Sequence, residues 1–100
     1  MNIKVNSVHF TADQKLIDFV NKKVSKMDTF FEGIIGAEVS LKVDKPEAAN
    51  NKISEIRIQL PAAEDLFARK QADTFEEATD LAVDAIRIQL TRHKDKVRGK

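Results

Sequence analysis

The sequence predicts an α+β fold of two layers, ordered β-α-β-β-β-α, with two helices packed on one face of a four-stranded mixed sheet. Three observations lead there. Several short stretches alternate apolar and polar residues with the period of two that a half-buried strand requires. Two longer stretches carry apolar residues at the spacing of one helix face. The connections also differ in kind. A helix separates the first two strands, which favours a right-handed crossover and a parallel pair. Short loops join the second, third and fourth strands, which favours an antiparallel meander.

The elements follow in order. Residues 2–8 set Ile3 and Val5 against Lys4 and Asn6, one face apolar and one wet. Thr11 or Asp13 can cap the helix that follows, and Thr11 with Gln14 has capping-box spacing. That helix is predicted over about 12–28, with Leu16, Val20, Val24 and Met27 as its stripe and Ile17 alongside. Phe30 and Phe31 are expected to plug the end of the core, and Gly33 and Gly36 to bracket a turn. Residues 37–43 alternate Ala37, Val39, Leu41 and Val43 with Glu38, Ser40 and Lys42. A turn-rich loop around Pro46 leads into residues 53–60, where Ile56, Ile58 and Leu60 face inward and Pro61 ends the strand. Residues 66–72 form a weaker strand with Leu66 and Ala68 inward, and Arg69 and Lys70 mark it as an edge. Thr74 and Glu77 form a second capping pair for a long helix over 74–100, whose apolar flank is Phe75, Ala78, Ala82, Ile86 and Leu90. The sheet face away from the helices should be polar.

One hundred residues fit a single domain, 1–100, with a basic helical C-terminus over 87–100. The chain has no cysteine, which excludes disulfides, thiolate metal sites and cysteine catalysis. No apolar run is long enough to cross a bilayer, and the N-terminus lacks signal-peptide order, so a soluble cytoplasmic protein is expected. Catalysis finds no footing. His9 and His93 lie at opposite ends of the chain, and no phosphate loop, serine elbow or zinc motif is present. Asp80 and Asp84 stand one helical turn apart with Glu76 and Arg87 nearby, the pattern of a solvated charged strip. The expectation is a non-enzyme with no cofactor, no metal and no small-molecule substrate.

Charge distribution is more informative. The formal net charge is +1, yet residues 87–100 hold six Lys or Arg against Asp95 alone, a net of +5 that leaves −4 on the rest. Cations complement the dipole at a helix C-terminus, which explains two or three of them but less easily six. The first helix adds Lys15, Lys22, Lys23 and Lys26. A local Asp18–Lys22 pair and ordinary solvation would account for these alone. Side by side, however, the two helices would make one basic surface suited to a polyanion. Trp and Tyr are absent and the Phe residues fall mostly on predicted core positions, which argues against stacking on single-stranded bases. Lys- and Arg-rich helix faces without aromatics suit phosphate contacts and shape recognition of folded RNA.

The basic end IQLTRHKDKVR, residues 88–98, resembles the end of the ribosome hibernation-promoting factors, the ribosome-associated inhibitor or sigma-54 modulation family. DFVNKKVSKMDTFF, residues 18–31, is similar to that family's first helix, VSLKVDK, residues 39–45, to its second strand, and ADTFEEATDLAVDAI, residues 72–86, to the segment before its basic end. The resemblance implies the same β-α-β-β-β-α order, similar in layout to a double-stranded RNA-binding domain. It implies docking on small-subunit rRNA in the mRNA/tRNA channel, with translation blocked under stress or in stationary phase. It carries an RNA-binding role to Lys23, Lys26, Lys42, Arg92, Lys94 and Lys96, and a packing or minor contact role to His93. Ile88 stands where the family often has arginine, and Arg87 lies one position earlier, about 100° around the helix. Ala85 and Glu76 also depart from the family pattern, where lysine and tyrosine are usual. The chain resembles the short members, which have no added ribosome-dimerising domain. Two other readings of the residues stand beside this one: a general double-stranded RNA-binding module, and a protein-interaction domain using the polar sheet face or an edge strand.

Overall fold

In the computed structural model, residues 1–98 are described, with side chains through Lys96. Arg98 and Lys100, counted above with the basic end, therefore lie outside the described side chains. The elements are β1 (Asn2–Val8), α1 (Gln14–Ser25), α2 (Met27–Phe30), β2 (Gly36–Val43), β3 (Lys52–Gln59), β4 (Leu66–Ala72) and α3 (Phe75–Arg98). The sheet runs β1-β2-β3-β4, with β1 parallel to β2 and the other two pairs antiparallel. The predicted parallel pair and antiparallel meander are thus the observed topology.

Alternation along the strands sets the layers. Ala37, Val39 and Leu41 on β2 and Ile56 and Ile58 on β3 are buried beneath the helices. Leu16, Val20 and Val24 of α1, with Met27, close one half of this core, and Phe75, Ala82, Ile86 and Leu90 of α3 close the other. Each fully buried Leu or Ile contributes roughly 1.5–3 kcal/mol of transfer free energy. One polar pair crosses the core: the Thr79 hydroxyl donates to Ser54 Oγ at 3.1 Å, and both side chains are fully buried. The opposite sheet face is mostly polar, with Glu55 between Lys42 at 3.1 Å and Arg69 at 3.8 Å, but it also carries the exposed Phe67 beneath Arg57.

Three local expectations change. The first helix starts at Gln14, not Ala12, because Asp13 rather than Thr11 caps it: the Leu16 N–H donates to Asp13 Oδ1 at 2.8 Å. It does not run unbroken to Asp28. It ends at Ser25, and the short α2 follows, with Thr29 Oγ1 donating to the Lys26 carbonyl at 2.7 Å. Asp18 does not pair with Lys22; it accepts from Gln14 Nε2 at 2.8 Å. At α3 Thr74 caps as expected, the Glu77 N–H donating to Thr74 Oγ1 at 3.0 Å. Gly33 takes a φ of 95°, the left-handed conformation that lets the chain turn from α2 towards β2.

The 24 residues of α3 make a rod of about 36 Å. Its sheet-facing stripe ends at Leu90, and the following turns carry exposed Thr91, Arg92, Asp95 and Lys96. The molecule measures 49 × 22 × 18 Å, with its long axis drawn out accordingly.

Candidate nucleic-acid interface

A groove runs between the α1–α2 segment and α3. Its floor is apolar, from Met27, Val83 and Phe30, and its rim is charged, from Lys23, Lys26, Asp80, Asp84 and Arg87. The groove follows from sequence spacing. Val20, Val24 and Met27 point into the core, which turns Lys23 towards α3. On α3, Val83 and Ile86 are buried, which turns Asp80, Asp84 and Arg87 towards α1 and α2. The hollow is about 390 Å³ and continues into a second of about 350 Å³ lined by Phe30, Asp84, Arg87, Ile88 and Thr91.

The cations of the groove are held in place. Lys23 Nζ lies 3.1 Å from Asp80 Oδ1 and 5.6 Å from the Phe19 ring centroid. The Arg87 guanidinium lies 5.3 Å and the Lys94 ammonium 5.2 Å from the Phe30 centroid, within cation–π range. Lys94 Nζ also donates to the Phe30 carbonyl at 3.4 Å. Lys26, at the α1–α2 junction, is exposed and has no ion pair among the described residues.

The six predicted binding residues therefore fall into three places. Lys23 and Lys26 line the groove, and Lys94 sits against Phe30 of its floor. Arg92 and Lys96, one turn apart, sit on a different flank of α3, because each is about 200° around the helix from Lys94. Lys96 follows Gln89 by two turns, and Gln89 Nε2 donates to the Phe67 carbonyl of β4 at 2.8 Å, which places that flank on the β4 side. Lys42 is elsewhere. It projects from the sheet face away from the helices and pairs with Glu55, since its neighbour Leu41 takes the core side. His93 packs edge-on against Phe31, centroids 5.5 Å apart.

Two residues gain importance. Arg87, to which the resemblance carried no role, lines both parts of the groove. Phe30 is not simply a core plug: it is half-buried and forms the groove floor where α2 meets α3. Asp80 belongs to an interhelical ion pair rather than to a purely solvated strip. Only the contact between segments far apart in sequence reveals these roles. Among the described residues, no group of three or more metal-ligating side chains is placed to hold an ion, and no helix is long and apolar enough to cross a membrane.

The fold matches a known class. Residues 3–98 match the family described as sigma 54 modulation protein / S30EA ribosomal protein. The chain belongs to that family. It is 33% identical over 98 residues to the ribosome hibernation promoting factor of Salmonella typhimurium, covering 98% of this chain and 96% of that one. It is 28% identical over 96 residues to the Pseudomonas putida protein of the same name, covering 96% of this chain and 89% of the relative. Among solved structures, it is similar to the N-terminal domain of Thermus thermophilus Protein Y, with a TM-score of 0.78 and 26% identity over 93% of this chain and 99% of that one.

Proposed function

We propose that the chain is a ribosome-binding hibernation factor. It docks on small-subunit rRNA in the mRNA/tRNA channel and blocks translation under stress or in stationary phase, without catalysis. The observation that carries this reading is the convergence of Lys23, Lys26 and Arg87 on one groove, with Lys94 against the Phe30 ring of its floor and Arg92 and Lys96 exposed on another flank of the same helix end. The hibernation factors of Salmonella and Pseudomonas supply the class of partner. The mechanism is electrostatic docking followed by steric exclusion. The tip cations attract and neutralise phosphates, the groove fixes the orientation, and the body fills space that mRNA and tRNA need. Lys42, on the far sheet face, contributes only if a second RNA segment wraps that side.

Co-sedimentation with purified small subunits tests the reading. Binding should weaken steeply between about 50 and 200 mM salt, as phosphate neutralisation requires. Arg92→Glu with Lys96→Glu should remove most pelleting at the higher salt. Pelleting of the double variant equal to that of the unaltered chain would sink the proposed surface. Competition with naked duplex RNA separates this reading from a general double-stranded RNA-binding module, which would be displaced from subunits by duplex at comparable concentration.

A further inference from the structure

Asp84 is the residue that phosphate docking leaves without a purpose. A carboxylate in the middle of a surface for polyanions repels phosphate. Its neighbour Asp80 is neutralised by Lys23 at 3.1 Å. Asp84 is exposed, lines both parts of the groove and has no ion pair among the described residues. One turn away, the exposed Arg87 guanidinium rests 5.3 Å from the Phe30 centroid, and Ile88, 55% exposed, forms a wall of the second hollow.

These groups define a ligand. It must offer a flat face to the Arg87–Phe30 pair, since guanidinium planes and aromatic rings stack on unpaired bases. It must offer N–H donors to the Asp84 carboxylate, which can only accept. It must carry an anion for Lys26 and Lys23. Each hollow, about 390 and 350 Å³, is of ligand size. A base inside a duplex fails, because its Watson–Crick edge is already paired and its faces are already stacked. We propose that the groove receives one unpaired RNA nucleotide, its base stacked on Arg87, its amino edge donating to Asp84 and its phosphate towards Lys26. The inference rests on the RNA-docking reading above and names the part of the RNA that enters the groove. It also reverses the expectation that bases are not stacked here, because that expectation placed Phe30 in the core.

The test uses the full chain and fluorescence anisotropy with labelled RNA hexamers of cytidine and of uridine. The two differ at the reading edge, where cytosine has an amino donor and uracil a carbonyl acceptor. The cytidine hexamer should bind about tenfold more tightly. Asp84→Ala should erase the difference by weakening cytidine binding. Arg87→Lys keeps the charge but removes the planar face, and should weaken cytidine binding by roughly fivefold or more. Asp84 and Arg87 are both exposed, so thermal melts of the variants should match the unaltered chain. Equal binding of the two hexamers, or an Asp84→Ala variant that binds both more tightly, overturns the proposal: the carboxylate would then only repel phosphate. Small-subunit co-sedimentation run alongside keeps the two readings apart. Subunit binding without hexamer discrimination sinks the base-reading groove alone, and absence of subunit binding sinks the docking reading.

Discussion

The groove and the tip of α3 hold their cations in opposite ways. In the groove, Lys23 is tied to Asp80, and Arg87 and Lys94 lean on Phe30. At the tip, Arg92 and Lys96 are exposed and have no ion pair among the described residues. Ordering a long cationic side chain costs about 1.5–2 kcal/mol of rotamer freedom. Interactions within the protein already offset part of that cost in the groove, whereas at the tip it falls due on binding. On the proposed docking, the groove would supply geometry and the tip attraction at a distance. Both depend on one anchor, because Leu90 is the last fully buried residue of α3 before the tip and stands between Ile88 and Thr91 of the second hollow.

The largest effect should come from breaking that anchor. Leu90→Ala should destabilise the protein by about 2–5 kcal/mol through reduced burial and the cavity left behind. At about 4–8 °C per kcal/mol for a chain of this size, a thermal melt would read the loss directly. RNA binding by groove and tip should fall together. A variant that melts early but, while still folded, binds at full strength would show that the tip is positioned by something other than Leu90.

Next comes the tip alone. Arg92→Glu with Lys96→Glu should lower subunit affinity by roughly 10–100-fold at moderate salt and flatten the salt dependence by about one unit for each phosphate that is no longer neutralised. Stability should stay within about 0.5 kcal/mol, since both side chains are exposed and unpaired among the described residues. Base discrimination in the hexamer assay should persist, because the groove is untouched. Loss of discrimination in this variant would mean that the two regions act as one.

A smaller effect separates the two groove acids. Asp80→Asn releases Lys23, and because both partners are about a third or more exposed the stability change should be below about 0.5 kcal/mol. Freed Lys23 should raise RNA affinity a few-fold, about 0.5–1 kcal/mol, with a slightly steeper salt dependence. Asp84→Ala should act in the other direction on cytidine. If both substitutions tighten binding alike, the acids share a repulsive role and the distinction between them disappears.

How far these regions could be read from sequence follows from the range of the interactions involved. The α3 stripe was legible because Phe75, Ala78, Ala82, Ile86 and Leu90 form a periodic signal within one segment, and all five are buried. Sheet topology was legible from connection lengths, as the observed pairing shows. The break at Lys26 was not: neither Pro nor Gly marks it, and the apolar spacing from Val24 to Met27 continues across it. The start of α1 turned on a choice between two competent caps, Thr11 and Asp13, which local chemistry alone does not decide. Lys42 is the instructive case. Strand parity puts it on the wet face with Glu38 and Ser40, and the structure places it there beside Glu55; the RNA-binding role that the resemblance carries to it concerns a partner, which parity does not address. The place of Arg87 was illegible for a different reason. It rests on Phe30, a residue of another segment, and no periodicity within α3 reports that pairing.

The smallest prediction isolates stability from both regions. Ala62, in the loop between β3 and β4, has a φ of 56°, left-handed backbone that an L side chain disfavours and glycine accepts. Ala62→Gly relieves that strain but gives the unfolded chain more freedom, and the two effects oppose each other. Relief should win by about 0.5 kcal/mol, because the left-handed penalty of about 1–2 kcal/mol exceeds the entropy term of about 0.4–1 kcal/mol. Denaturant unfolding should show a slightly higher midpoint with an unchanged slope. Subunit and hexamer binding should not move, since the β3–β4 loop lines neither part of the groove. A change in binding here would mean that groove geometry responds to global stability, and the contrast between a pre-set groove and an adaptable tip would then have to be redrawn as one of degree.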